Sequence, residues 1–420
     1  MLEAPSDEEV RNAPRVSLRR NFAWTFVGNV LLGASQWAVL SLIAKLGSPE
    51  MLGQYALALA LATPVSMLSH LNLRAVLATD VECRHSFGDY LAVRAAATAL
   101  ALAAFAVMAL ASGGSPEVAG VIVLLGMSLG ADNISDTCYG ALQRDERMST
   151  VARSMIVRGL ISLAALAVAL RITGKLAPAV AALAAARVFV VLAYDFPRAS
   201  QGQDLSRSGS RAQWEIFRTA LPLGVVLMLV SLTSNVPRYA VEAFLGTREL
   251  GAFAAVAVFL NAGSTVANAL GQAATPRLAR FYSGRDVAGF RRLSAKLTGL
   301  AVLVGMAGVV FAVLAGKSFL RLAYSADYVS HAGLLVTVMV AGIFVYVAVL
   351  LGYVITSARS FLSQMPLLAL VAATSAAASW LLVPTLGLAG AAVAVALAAC
   401  LQIGGQLLIL FRALRRAEAA

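Results

Sequence analysis

Polar and charged side chains stand inside long apolar stretches of this chain, and their spacing sets what chemistry is open to it. Ser231, Asn235, Arg238 and Glu242 follow at intervals of three and four, as do Asn261, Ser264, Asn268 and Gln272. Either set lies on one face of a helix. An arginine keeps its charge in a low-dielectric setting and binds two phosphate oxygens at once. Amides and hydroxyls match the hydroxyl groups of sugars. The same kinds of residue recur in other apolar stretches: Asn29 and Gln36, His70 and Arg74, Asp132 and Asp136, and Arg187.

Each of these residues has a plainer use. Arg74 and Arg187 fall near the ends of their stretches, where they either snorkel to the surface or face the interior. Arg238 and Glu242, four apart, either neutralise each other or act separately. Asp132 and Asp136 share a helix face and repel if both ionise. They serve either as cation-coupling groups, with Glu242 a third candidate, or as partners for neighbouring helices. Asn and Gln are as often interhelical glue as ligand contacts. No other chemistry is indicated. A Walker A glycine loop is missing, as are paired acid–base carboxylates in a loop. The three cysteines (Cys83, Cys138, Cys400) form no CxxC pair, and the three histidines are scattered. The expectation is a non-enzyme without metal, cofactor or disulfide framework.

The polar residues must be positioned by helices in a membrane. The chain has 420 residues, 60% hydrophobic and 13% charged, whereas soluble domains carry about 25% charged residues. A spanning helix needs roughly 20 apolar residues. That ruler gives twelve spans, near 22–44, 52–75, 90–111, 118–142, 154–170, 176–196, 219–245, 250–273, 293–315, 332–357, 364–383 and 388–411. The fifth is short and contains Arg158, so the fifth and sixth also read as one re-entrant hairpin. Residues 1–20 are polar and the first apolar run is too long for a signal peptide. This arrangement excludes a soluble enzyme with a single anchor.

Charge supplies an independent check. The net charge is +12. With twelve spans, 24 of the 33 Lys and Arg fall on the side of the N-terminus, 6 on the other, and Arg74, Arg187 and Arg238 within spans. Such asymmetry over short loops predicts that both termini lie in the cytoplasm. One missed span would scramble it. The basic excess is thereby accounted for by topology and contact with anionic membrane lipids, without nucleic acid.

The longest polar connector, 197–214, is rich in Ser, Gly and Arg and divides the spans six and six. The predicted organisation is a cytoplasmic tail (1–20), an N-lobe (21–196), a cytoplasmic linker (197–214), a C-lobe (215–411) and a short cytoplasmic tail (412–420). "LGSPEMLGQYALALAL" (46–61) is similar to "LGTRELGAFAAVAVFL" (245–260) after one gap. Setting Gly53 against Gly251 aligns Thr63 with Asn261, Ser66 with Ser264, His70 with Asn268, and Arg74 with Gln272. Six helices separate the copies, which makes the repeats parallel, about an axis along the membrane normal. The expected fold is all-α: twelve transmembrane helices in two six-helix lobes around a hydrated cavity.

Longer motifs carry a family resemblance. "RNFAWTFVGNVLLGASQWAVLSLIAKLGSPEMLGQYALALAL" (20–61) resembles the first hairpin of the Wzx-like oligosaccharide flippases, in the multidrug/oligosaccharidyl-lipid/polysaccharide (MOP) exporter superfamily. "YGALQRDERM" (139–148) resembles that family's turn after span four, with Arg144 where glycine is common. Residues 218–254 are similar to its span-seven region, with Pro237 where an Asp before the Arg is frequent. Residues 275–293 are similar to its loop after span eight. The resemblance implies export of a lipid-linked oligosaccharide, on a polyprenyl pyrophosphate, from the cytoplasmic to the periplasmic leaflet of a bacterial inner membrane. Alternating access of two lobes would carry the transfer, and a polysaccharide polymerase and other glycan-assembly proteins would be partners. Arg238, with Arg74 and Arg187, is then the candidate for the phosphate. Asn29, Gln36, His70, Asn235, Asn261, Asn268 and Gln272 are candidates for the rest of the substrate. The alternative is a cation-coupled multidrug antiporter of the same superfamily; Asn29 and Gln36, rather than an acid, in the first span count against it. The short outer loops argue against a polymerase or ligase.

Overall fold

The computed structural model describes residues 18–80, 82–111, 116–358 and 364–419, without the side chains of 18–23, 25–27, 29 and 416–419. Among these residues the chain is helical throughout, with no strand. In hydrocarbon a helix satisfies its own backbone, which is why a chain this apolar takes no other form. The N-terminal half comprises α1 (Leu18–Leu46), α2 (Pro49–His70), α3 (Leu73–Thr79), α4 (Phe87–Ala111), α5 (Pro116–Arg144), α6 (Met148–Thr173), α7 (Leu176–Val190) and α8 (Phe196–Ala199). The C-terminal half comprises α9 (Ser210–Leu245), α10 (Thr247–Ser283), α11 (Val287–Ala323), α12 (Ala332–Ser357), α13 (Gln364–Leu386) and α14 (Leu388–Ala419). Eleven segments are long and apolar enough to cross a membrane, and α1 contributes the shorter apolar run Val30–Leu46. At 26 residues, α6 is a full-length helix and no re-entrant hairpin. Leu110 and Leu314 are 86% and 80% exposed, an arrangement that only a lipid surround makes favourable.

The structure departs from the predicted spans at two breaks. Span two ends early: Leu71 and Asn72 adopt left-handed conformations (φ 52° and 48°), and the chain restarts as α3. Its counterpart α10 runs unbroken past Gln272. The aligned pair Arg74 and Gln272 therefore sit on differently placed helices. Span six is interrupted by a π-turn over Val191–Asp195, which rotates the buried Asp195 toward α5 and α6. The connector between halves is also less free than its composition predicts. Gly88 N–H donates to Asp204 O (3.1 Å), and Asp89 Oδ1 accepts from Ser208 N–H (3.0 Å), which pins the connector to the start of α4.

The halves meet through glycine. A Cβ on Gly53 would lie 1.8 Å from Thr247 O, and one on Gly251 would lie 2.3 Å from Pro49 O. These two contacts are the same contact exchanged between the aligned repeats, as a twofold axis between α2 and α10 requires. Small residues let two helix backbones approach this closely in a membrane. Away from that point the seams differ. α2 packs along α9 as well as α10, whereas α1 touches α10 only sparsely.

Prolines inside spans leave carbonyls without their helical donor, and the structure supplies substitutes. Pro64 frees Ala60 O in α2, which accepts from Tyr239 Oη of α9 at 2.6 Å. Pro237 frees Thr233 O in α9, which accepts from Ser375 Oγ of α13 at 3.2 Å. A buried carbonyl stripped of its partner costs about 1–3 kcal/mol. Tyr239→Phe should therefore destabilise the purified protein by that amount in thermal unfolding. In a Pro64→Ala background, where Ala60 O regains a backbone donor, most of the loss should vanish. Equal losses in both backgrounds would contradict this account.

Candidate functional site

The break after His70 organises the polar interior of the N-terminal half. A helix end leaves carbonyls without donors, and here Arg94 of α4 takes their place. It is 1% exposed and donates from Nη1 to Ser69 O (2.8 Å), Nη2 to His70 O (2.7 Å) and Nε to Thr137 Oγ1 (2.7 Å). Asn133 of α5 donates to Ser66 and Ser69 from the neighbouring turn. The restart at Leu73 brings Arg74 onto the side of α5 that His70 also faces.

Asp136 receives both of those residues: His70 Nε2 lies 3.0 Å from Oδ2, and Arg74 Nη1 3.3 Å from Oδ1. Arg74 Nε also donates to Gln143 Oε1 at 2.9 Å. One turn back, Asp132 receives Arg187 of α7 at 2.5 Å and Arg158 of α6 at 3.1 Å. The two carboxylates thus do not share a proton or repel across empty space; each is held between cationic or ionisable groups from other helices. Tyr139 lies between the clusters, its ring 5.7 Å from the Arg74 guanidinium and 5.6 Å from that of Arg158. Asp195 accepts from Ser135 Oγ at 2.6 Å and from Ser154 Oγ. Arg74 and Arg187 accordingly do not snorkel; both are committed to ion pairs.

The C-terminal half is arranged differently. Arg238 of α9 donates from Nη1 to Asn235 Oδ1 at 2.7 Å, and Asn235 in turn donates to Ser231. Among the described residues no carboxylate pairs with Arg238, and its buried Nε has no hydrogen-bond partner. Glu242 does not neutralise it. That carboxylate accepts from Thr247 Oγ1 at 2.8 Å through Oε1, while Oε2 is buried without a partner. On α10, Asn268 Oδ1 accepts from Tyr353 Oη of α12 at 3.2 Å, and Gln272 Nε2 reaches the same hydroxyl at 3.4 Å. Asn261, Gln272 and, on α1, Gln36 are exposed. The side chain of Asn29 lies outside the described residues.

The structure therefore gathers His70, Arg74, Asp132, Asp136 and Arg187 into one network. It leaves Asn235 and Arg238 in a second group and Asn268 and Gln272 in a third. Arg94, Asp195 and Tyr353 belong to these groups and escaped notice in the sequence; Arg158, which the sequence places inside the fifth span, joins them. Arg94 and Arg158 read as loop-side arginines in the charge count. Their signal was position: each stands several residues inside its helix.

Residues 18–282 match the family described as polysaccharide biosynthesis protein. The chain belongs to that family. It is 25% identical over 379 residues to the capsular polysaccharide biosynthesis protein CapF of Staphylococcus aureus, covering 90% of this chain and 95% of that one. Among solved structures, it superposes on an inward-facing MATE-family multidrug transporter of the MOP superfamily with a TM-score of 0.76. Identity there is 14%, covering 94% of this chain and 98% of that one. The lipid II flippase MurJ, in an inward closed conformation, superposes with a TM-score of 0.73 at 9% identity, over 94% and 89% of the two chains. The fold is that of these MOP-superfamily transporters, and this polysaccharide biosynthesis family member is a multi-pass membrane protein.

The network makes a direct stability prediction. Asp132→Asn leaves the buried guanidinium of Arg158 and the partly buried one of Arg187 without their counter-charge, a loss of at most about 3–5 kcal/mol, the figure for a fully buried pair. Its thermal midpoint should fall far more than that of Asp132→Asn combined with Arg187→Gln. A double variant no more stable than the single one would refute the pairing.

Proposed function

We propose that this protein carries a lipid-linked oligosaccharide, built on a polyprenyl pyrophosphate, from the cytoplasmic to the periplasmic leaflet of the bacterial inner membrane. The family match and the capsular relative support a polysaccharide precursor as the cargo class. The observation that carries the reading is the contrast among the span arginines. Arg74, Arg94, Arg158 and Arg187 are each engaged by a carboxylate or by helix-end carbonyls. Arg238, half-buried, has only an amide of its own helix. An unneutralised guanidinium is costly in low dielectric unless an anion completes it. A pyrophosphate headgroup is such an anion, and the planar fork can hold two of its oxygens.

Two further features support the reading. α1 and α10 touch only sparsely, α1 reaching the C-terminal half through Ser41 and Trp37 on α11, while the α2 seam is closed by Tyr239 and the paired glycines. In this reading the polyprenyl tail stays in lipid beside the sparse seam while the headgroup enters between the halves. Gln36, Asn261 and Gln272 supply exposed amides suited to sugar hydroxyls on the two helices beside it. Both termini lie in the cytoplasm in this reading, and alternating access of the two lobes carries the headgroup across. Coupling to a cation, if the transporter uses one, falls to Glu242, because Asp132 and Asp136 are already neutralised.

Arg238→Ala should abolish appearance of the glycan at the cell surface while the protein stays at normal abundance in the membrane. Arg238→Lys should retain part of the export, as a point charge without the bidentate fork. Normal surface glycan in Arg238→Ala would remove that residue from the mechanism. Ethidium efflux by cells expressing the chain, with no effect on glycan, would favour the drug-antiporter alternative.

A further inference from the structure

A small pocket lies inside the N-terminal half, apart from Arg238. Ser35 and Val39 of α1, Arg158, Gly159 and Ser162 of α6, and Arg187 of α7 line it. It admits about one water-sized sphere. Two buried polar groups at its wall have no hydrogen-bond partner. One is Ser162 Oγ, on a residue 3% exposed; the other is Nη1 of Arg158, on a residue 6% exposed. That Nη1 stands 3.1 Å from Asp132 Oδ1, but off hydrogen-bond geometry. Ser35 Oγ donates to Leu32 O at 2.7 Å, so its hydroxyl proton turns away from the pocket.

The electrostatics point the same way. The buried network of this half contains the guanidiniums of Arg74, Arg94, Arg158 and Arg187 against the carboxylates of Asp132, Asp136 and Asp195. That leaves one positive charge in surplus with His70 neutral; protonating His70 or Asp195 only enlarges it. At the pocket the guanidiniums of Arg158 and Arg187 share the one carboxylate within ion-pair distance, that of Asp132. Uncompensated charge in low dielectric is strongly unfavourable. Donors without acceptors, a cationic wall and room for a single small sphere suit a monatomic anion. A pyrophosphate or sulfate is too large for the space.

We propose that this pocket is a binding site for one halide-sized inorganic anion, held by the guanidiniums of Arg158 and Arg187 and the hydroxyl of Ser162. Chloride is the abundant ion of that class. Because α1 forms one wall of the pocket, occupancy ties α1 to α6 and α7. The site is independent of the glycan reading: its test uses no transport assay, and loss of export would not bear on it.

The full-length protein, purified in detergent, would be unfolded thermally while sodium gluconate is replaced stepwise by sodium chloride at fixed ionic strength. The midpoint should rise saturably, by about 2 °C or more at ten times the half-saturating concentration. Bromide should reproduce the rise and sulfate should not. Ser35→Val fills the pocket without touching the ion pairs, and Arg187→Gln removes one guanidinium; both should lose the chloride response. If either variant fails to fold, bromide-grown crystals of the unaltered protein decide the matter by anomalous scattering. A peak within hydrogen-bond reach of Arg158 and Arg187 is the expected result. A midpoint indifferent to chloride, an equal response to sulfate, a response kept by both variants, or no anomalous peak there would overturn the proposal.

Discussion

Hydrocarbon offers no hydrogen bonds, so each carbonyl and each charge that a chain takes into the membrane must find a protein partner. Much of this structure follows from that one requirement. Pro64 and Pro237 each free a carbonyl, and Tyr239 and Ser375 each supply a hydroxyl from another helix. The end of α2 frees two more, and the guanidinium of Arg94 meets both. A side chain that repairs a backbone defect also ties two helices together. Tyr239 does this across the seam between the halves, and Ser375 between α9 and α13.

The same rule makes exceptions informative. The N-terminal half neutralises its carboxylates with arginines and a histidine from other helices, which turns α2, α3, α5, α6 and α7 into one electrostatically joined body. The C-terminal half keeps Arg238 without a carboxylate and Glu242 with one idle oxygen. Two sets of polar residues that look alike along the chain therefore do different work. One set is joined by ion pairs between helices, and in the other Arg238 has only an amide of its own helix.

The two halves share one exchanged contact and differ at others. Gly53 and Gly251 preserve the exchange expected of a twofold axis, each against the backbone of the opposite repeat. The break after His70 has no counterpart in α10. α2 lies close along α9 and α10, and α1 stands nearly clear of α10. The α2 seam is thus made with α9 and α10, and the α1 seam chiefly with α11 through Ser41 and Trp37, an asymmetry that an exact duplication would not produce.

How much of this was open to reading from the residues alone depends on whether the cause is local. Span number and the 6+6 division follow from apolar run length, because the bilayer's thickness imposes one ruler on every helix. The alignment of Gly53 with Gly251 was legible too, because close backbone approach demands glycine at both places. What the sequence could not settle was partnership. Asp132, Asp136, Arg74 and Arg187 are plainly polar residues in apolar spans, but their partners lie on helices tens of residues away. Arg94 looked like an ordinary loop-side arginine until the break in α2 placed it inside, and Arg158, legible inside the fifth span, found its partner only through the packing of α6. That break rests on Leu71 and Asn72 in left-handed conformations; asparagine tolerates that region, but nothing in Leu71 announces it. Tertiary packing alone decided which charges cancel and which are left over, because an ion pair is set by distance in space and not along the chain.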